Sequence, residues 1–163
     1  MIFKERPKGP NNFLKIKAGE SIKGILRGEI FDYSQHWNTG KSEPCEGEGC
    51  VLCGEGLKKS FRFRCNILTK EVNPEYGEKY VCKIFEQGGV TYDFLKSLAE
   101  DFDLEKTVLK ISRVGEKMQT KYTIVPLPGV VDDTKFKDIP LHDLTKFEKE
   151  EAHDQGSEDS IPF

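Results

Sequence analysis

The chain of 163 residues has no apolar run that approaches the roughly 20 residues needed to span a membrane. Its basic first ten residues are not followed by the apolar stretch of a signal peptide, so we expect an intracellular protein. Also missing are a phosphate-binding glycine loop, paired carboxylates with an obvious metal site and a nucleophile beside a base. These absences argue against an enzyme, and we expect a protein without catalytic activity or a small-molecule substrate.

Cysteine is scarce and unevenly placed. The chain has 5 cysteines, an odd number that does not suit a disulfide framework, and three of them fall in one stretch rich in Gly and Glu. With a nearby histidine they form the spacing His-x8-Cys-x4-Cys-x2-Cys. Thiolates and one imidazole in a closed tetrahedral shell are typical of structural zinc. We therefore predict a Zn²⁺ site formed by His36, Cys45, Cys50 and Cys53, which would fold a segment with too little apolar content to fold by packing.

Two alternatives for this cluster stay open from the sequence. Cys50 and Cys53 have the spacing of a redox Cys-x-x-Cys pair, although the third nearby cysteine and the lack of a βαβ pattern argue against that interpretation. Cys65 or Cys82 could replace His36 as the fourth ligand. Both, however, fall inside predicted strands, where a cysteine usually acts as a small buried apolar residue.

Five segments have the composition or alternation of β-strands, and one has the pattern of a helix. The helix is expected from Thr91 to Phe102, with Thr91 as its N-cap. Gly24 and Gly28, inside the first strand, predict bulges or strong coiling. In the second strand the period of two assigns Phe61 and Phe63 to the core. The strands are predicted at residues 21–33, 61–68, 79–86, 107–114 and 121–126.

Three strands, one helix and two strands follow each other in the order of the five-stranded oligonucleotide-binding barrel, the OB fold, although a generic α+β domain could show the same order. We predict a mainly β protein with an OB-fold barrel, a helix between strands 3 and 4, and the zinc-binding insertion between strands 1 and 2. The predicted regions are an N-terminal arm (1–20), the OB-fold domain (21–128) with its insertion (34–60), a linker with a short helix (129–147) and a disordered acidic tail (148–163). The short helix would align Leu141, Leu144 and Phe147.

Charge is distributed asymmetrically along the chain. From Asp143 onward there are seven acidic residues against two lysines, a net charge of −5, within a total net charge of −3. Residues 1–142 therefore carry +2. A weakly basic body with an acidic tail suits a protein that binds nucleic acid and keeps its tail off the polyanion, although a solvated surface of mixed charge would look similar.

Basic and aromatic residues recur on what we expect to be the outer faces of the strands. Binding of single strands without sequence preference needs cations for phosphates and flat side chains for base stacking. Any one of these residues alone could instead be core or solvated surface, but Trp37 lies in a polar loop where burial is harder to arrange. The candidate DNA contacts are Lys23, Arg27, Phe31, Tyr33, Trp37, Arg62, Arg64, Lys83, Phe85, Lys121 and Tyr122.

The acidic tail ends in an apolar tip, Ile161-Pro162-Phe163, preceded by Asp159. A large apolar side chain on a solvated terminus adds nothing to a core, so its expected use is insertion into a partner's pocket. The alternative is a frayed terminus without a role. We predict partner binding through Asp159, Ile161, Pro162 and Phe163.

Together these features resemble the phage-type single-stranded DNA-binding proteins. The His/Cys insertion is similar to that of the T-even phage helix-destabilising protein, and the last residues are similar to the Ile-Pro-Phe ending of bacterial single-stranded DNA-binding proteins. The resemblance implies a bacteriophage protein in the bacterial host cytoplasm that coats single-stranded DNA during DNA replication, recombination or repair. It also implies recruitment of replication or recombination proteins through the tail. The alternative is a zinc-dependent protein-interaction or transcription-associated module.

Overall fold

The computed structural model describes residues 12–75, 77–129, 131, 134 and 136–146. Its elements are β1 (Ser21–Asn38), β2 (Lys41–Pro44), α1 (Val51–Gly54), β3 (Lys59–Asn73), β4 (Gly77–Gly88), α2 (Gly89–Leu98), β5 (Leu109–Val114) and β6 (Lys121–Pro126). The strands form one antiparallel sheet in the order β4-β3-β1-β5-β6, and β2 pairs with the end of β1. The prediction of a mainly β protein is therefore confirmed.

The five predicted strands are present. Pairing extends β1, β3 and β4 beyond the predicted bounds, whereas β6 keeps them and β5 begins at Leu109 instead of residue 107. β1 continues to Asn38 because β2 folds back on it, pairing Gln35 with Pro44 and Asn38 with Lys41. The polar segment from residue 34, predicted to be a loop, therefore begins as strand. The helix expected from Thr91 to Phe102 is displaced. α2 begins at Gly89, with Gly88 rather than Thr91 as its N-cap, and stops at Leu98, after which turns follow.

In the described residues the sheet does not close into a barrel, because β4 and β6 are edges that do not pair with each other. Part of the N-terminal arm lies along the β4 edge instead. The Leu14 N–H donates to the Ile84 carbonyl (2.8 Å), and the Ile84 N–H donates to the Asn12 carbonyl (2.7 Å). The backbone groups of Ile84 that a closing strand would have used are thus bonded to the arm.

The sheet curves around a core on one face, which we call the inner face. Every long strand and α2 contribute to this core, together with Ile16 of the arm. Removal of this apolar surface from water is the main stabilisation that such a sheet can have. The buried inner-face residues are Ile16, Leu26, Phe63, Cys65, Ile67, Phe85, Leu95, Leu109, Ile111 and Ile124.

Of the two glycines in β1, only Gly28 lies at a bulge. Gly28 has a φ of +76°, and the pairing with β3 shifts register between Arg27 and Phe31. Gly24 pairs in regular register with Thr69, so of the two predicted features, a bulge or strong coiling, the bulge is absent there. A Cβ at Gly24 would lie 2.7 Å from the Ile67 side chain, so close packing requires glycine at that position.

The outer face of the sheet is covered in part by the C-terminal segment, residues 136–146. Phe136 is buried there against Ile25, Leu68 and Cys82. The short helix predicted for this region is absent from the described residues, and Phe147 lies outside them. Several backbone groups of the segment bond to side chains of β3, and within the segment the Ile139 N–H donates to the Phe136 carbonyl (3.2 Å).

Candidate metal centre and nucleic-acid interface

One histidine and three cysteines converge where β1 ends. His36 lies on β1, Cys45 follows β2, Cys50 is the N-cap of α1, and Cys53 lies within α1. Their four ligand atoms all lie within 4.8 Å of one another. The site can therefore hold a metal ion, and the residues are those predicted from spacing.

The measured separations fit a tetrahedral ion bound by sulfur and nitrogen. Cys45 Sγ and Cys53 Sγ are 3.6 Å apart, and His36 Nε2 lies 3.4 Å from Cys53 Sγ and 3.7 Å from Cys50 Sγ. Bond lengths of about 2.3 Å to sulfur and about 2.0–2.1 Å to nitrogen give tetrahedral edges of about 3.8 Å and about 3.6 Å. The three separations are therefore close to the edge lengths of a tetrahedral shell of sulfur and nitrogen ligands.

The orientation of His36 is set by the backbone beside it. The side chain is fully buried, and Nδ1 lies 3.0 Å from the Lys58 carbonyl. A carbonyl can only accept, so Nδ1 carries the proton and Nε2 directs its lone pair at the cysteines. Cys65 and Cys82 are buried elsewhere in the sheet, so neither replaces His36.

Backbone amides favour the thiolate form of two of the cysteines. Hydrogen bonds from the backbone, that of Glu46 first, lower the pKa of the Cys50 thiol to about 6. The Gly47 N–H, 3.4 Å from Cys45 Sγ, lowers the pKa of that thiol. Gly47 has a φ of +81°, which allows the chain to wrap around the sulfur atoms. Thiolates are the form that binds a metal, so the local backbone prepares the ligands.

The second half of β1 carries an aromatic row on the outer face. Alternation along the strand places Phe31, Tyr33 and Trp37 on this face, and Arg62 of β3 pairs directly with Tyr33. The Phe31 and Tyr33 rings are stacked with their centroids 5.9 Å apart, and Trp37 is 58% exposed. We call Phe31, Tyr33, Trp37 and Arg62 the aromatic–basic stripe; it runs up to the metal centre.

Arg64 was predicted to contact DNA, but the structure uses it inside the protein. Its Nε donates to Glu86 at 2.9 Å, and its Nη1 donates to the carbonyls of Leu144 (3.3 Å) and Lys146 (2.9 Å). The guanidinium also lies over the rings of Tyr33 and Phe13, and the residue is only 7% exposed. Arg64 therefore anchors the C-terminal segment to the sheet.

Two predicted contacts on β4 are on the inner face instead of the outer one. Phe85 pairs with Cys65 and is buried in the core against Phe63. Lys83, two residues earlier, shares its face. Conversely, Phe61 was assigned to the core but is 39% exposed, with its ring packed against Tyr92.

The remaining candidates divide by exposure. Lys23 and Lys121 are exposed, whereas Tyr122 packs against the inner core. Arg27 is half-buried, with its guanidinium over the Phe136 ring. The four predicted partner-binding residues of the tail lie outside the described residues.

Sequence reasoning missed the residues that hold the C-terminal segment. Asn66 bonds to the backbone of His142 at two points, and Glu86 pairs with Arg64. Asn66 and Glu86 are polar residues within strands, a pattern that equally fits a solvated face. No local signal marks them, since the partners of Asn66 are 76 residues away.

Comparison of the chain with models of protein families, with curated proteins and with solved structures finds no match. The class of protein is therefore described from its fold and its site only. It is a mainly β protein with an antiparallel sheet and a His/Cys cluster that can hold a metal ion. Within the described ranges, no helix has both the length and the apolar character to cross a bilayer.

Proposed function

We propose that this protein binds single-stranded DNA and coats it during replication, recombination or repair. The observation that carries the proposal is the aromatic–basic stripe, in which three aromatic side chains and an arginine share one face beside the metal centre. Flat rings at successive positions of a strand can each stack on a base, and stacking of this kind tolerates any sequence.

Arg62 supplies the cation that the stripe needs. Its Nε is buried and has no hydrogen-bond partner among the described residues. The guanidinium would neutralise a phosphate bound beside Tyr33, and a rotation of the half-buried side chain would bring the Nε donor to a phosphate oxygen. Arg64, by contrast, donates hydrogen bonds to Glu86 and to two backbone carbonyls. Of the two arginines, Arg62 is therefore the proposed phosphate contact.

We assign Zn²⁺ to the metal centre, as a structural ion. Three thiolates and one imidazole fill a tetrahedral shell and leave no open position for substrate, which supports a non-catalytic role. His36 is flanked by Trp37, so an ion bound by His36 would hold the strand that presents the most exposed ring of the stripe. An OB relationship also remains part of the proposal, because OB folds include partly open barrels.

The tail completes the proposal. Arg64 accommodates both the Lys146 carbonyl, which accepts from its Nη1, and the Tyr33 ring, over which its guanidinium lies. The acids of the tail would compete with DNA for cations, and Asp159, Ile161, Pro162 and Phe163 would bind replication or recombination proteins.

Fluorescence titration of Trp37 with oligo-dT tests the DNA-binding proposal, since Trp37 is the only tryptophan. We expect quenching, an affinity that falls steeply with salt, and weaker binding to duplex DNA. Arg62→Ala should weaken binding, whereas Lys96→Ala, on the exposed side of α2, should not. An absence of quenching at low salt, or an affinity insensitive to salt, would contradict the proposal.

Truncation of residues 148–163 tests the tail separately. We expect tighter DNA binding and loss of partner capture. If instead Arg62→Ala leaves DNA binding intact and zinc removal abolishes capture of a protein partner, the alternative interaction module is favoured.

A further inference from the structure

A cavity opens at the other end of the sheet from the metal centre, where β1 begins. It has a volume of about 550 Å³ and lies between the arm, β1 and β3. Phe13, Leu14 and Ile22 supply apolar wall, and Ser21 and Thr69 supply hydroxyl groups. This volume is within the range of about 300–1,000 Å³ that is usual for small-ligand sites.

The cavity is lined by more cations than anions. Four lysines, from the arm and three strands, contribute to its wall, and Glu71 is the one acidic residue among the lining residues. Lys70 forms an ion pair with Glu78 (3.1 Å), which offsets part of this charge. The other lining lysines are Lys15, Lys23 and Lys83. A concavity lined by several lysines raises the local concentration of anions.

We propose that this cavity binds a phosphate-bearing ligand of nucleotide size. The lysines would hold the phosphate as point charges, and the apolar wall with Phe13 would take the base or sugar. Such a phosphate can come from a free mononucleotide or from a nucleotide within a strand. The first source is independent of the proposed function, and the second rests on it.

Phe13 makes the second source geometrically reasonable. Its ring lines the cavity and also lies 5.3 Å from the Arg64 guanidinium, which in turn lies over Tyr33 of the stripe. The arm that carries Phe13 is bonded to the β4 edge at Ile84. A DNA strand that continues beyond the stripe would therefore pass the β4 edge before it reaches the lysines of the cavity.

The binding experiment uses the full chain labelled with ¹⁵N and titrated with dTMP, pyrophosphate and thymidine. We expect saturable shifts of the amide signals of residues 21–23 and 69–71 with dTMP and pyrophosphate, and at least tenfold weaker binding of thymidine, which lacks a phosphate. The double variant Lys15→Gln/Lys83→Gln should weaken dTMP binding at least tenfold. The matched control Lys96→Gln/Lys106→Gln should bind as the wild type does.

Three results would overturn the proposal: equal shifts with thymidine, equal weakening of dTMP binding in the control variant, or shifts that never saturate. Any of them would show that the cavity is filled by solvent and binds no specific ligand. Signal dispersion in the same spectra shows whether the double variant is folded. If it is not, Lys23→Gln/Lys70→Gln replaces it with the same expected result.

Competition distinguishes the two sources. Displacement of dTMP by oligo-dT, with weaker oligo-dT binding in the double variant, supports a strand nucleotide. Continued dTMP binding in the presence of oligo-dT supports a free mononucleotide. Failure of the proposed function is separately visible, because oligo-dT would then bind neither the wild type nor the variants while dTMP still binds.

Discussion

The side-chain amide of Asn66 pairs with the backbone of His142 in both directions. Asn66 Nδ2 donates to the His142 carbonyl (3.1 Å), and the His142 N–H donates to Asn66 Oδ1 (2.8 Å). The Cys82 thiol also donates to this oxygen (3.3 Å), and His142 Nε2 lies 2.9 Å from the Cys82 carbonyl. This network attaches the C-terminal segment to β3 and β4 with almost every polar group satisfied, as a buried network requires.

Asn66→Ala should lower the free energy of unfolding by about 1–3 kcal/mol, since it removes the partner of the partly buried N–H and carbonyl of His142. Urea unfolding measures the change, and limited proteolysis within residues 136–146 should become faster. Gln119→Ala, an exposed amide, should stay within about 0.5 kcal/mol of the wild type. Equal stability of the two variants would show that the Asn66 network does not hold the segment.

The two neighbouring arginines should separate stability from DNA binding. Arg64→Ala removes the ion pair with Glu86 and the bonds to two carbonyls, so we expect a loss of about 2–3 kcal/mol of unfolding free energy. Arg62→Ala should instead weaken oligo-dT binding about fivefold to tenfold and reduce stability less than Arg64→Ala, because its Nε makes no hydrogen bond to the described residues. Chemical unfolding and oligo-dT titration on the same samples check both; the reverse result would reassign the phosphate contact.

Trp37→Ala should weaken single-strand binding by about 1–3 kcal/mol, the range for loss of one base stack. Its stability should change little, since the ring is 58% exposed. Fluorescence anisotropy of labelled oligo-dT measures the affinity without the tryptophan. Phe94→Ala is the matched control, because this aromatic ring on α2 is 47% exposed and is not part of the stripe. The same loss in both variants would point to a general effect of surface apolar groups.

Metal removal should expose the thiols in two groups. With zinc bound, we expect one equivalent of metal per chain and slow reaction of all five cysteines with a thiol reagent. A chelator should release three reactive thiols, while Cys65 and Cys82 remain protected until unfolding. Both are buried, and burial raises the pKa of Cys65 to about 12. Reaction of Cys65 in the folded, metal-free protein would contradict the structure.

Tyr33 should resist ionisation at high pH. Burial and then the hydrogen bond to Glu86 raise its pKa to about 12 from a usual value of 10.0. Between these values the unfolded chain is ionised at this position and the folded chain is not, so Tyr33 stabilises the fold fully below pH 10 and loses this contribution as the pH rises towards 12.

Absorbance of phenolate at 295 nm tests this, with Tyr33→Phe as the reference. The absorbance difference between the wild type and Tyr33→Phe should appear at higher pH than the signal of the other tyrosines. Glu86→Gln removes the carboxylate, so it should shift the Tyr33 titration to lower pH. A Tyr33 signal that titrates at an ordinary pKa would be inconsistent with the buried pairing.

The strands and the metal cluster were accessible to sequence reasoning, whereas the face of β4 was not. The period of two located β3, and the short spacing from His36 to Cys53 identified the ligands because both signals are local. β4 is covered on both faces, by the inner core and by the C-terminal segment, so its apolar residues do not alternate. Phe85 could therefore be placed on either face from the sequence, and only the pairing with Cys65 assigns it.

The sequence by itself determined what depends on neighbours along the chain: the strands β1 and β3 to β6, and the residues that can bind a metal. Tertiary structure alone decided the role of Arg64 and Asn66, because their partners at Leu144, Lys146 and His142 are 76 to 82 residues away. It also decided that the arm, and not β6, lies along the β4 edge. The physical reason is that a strand residue's environment depends on what covers each face and edge, and those groups come from distant parts of the chain.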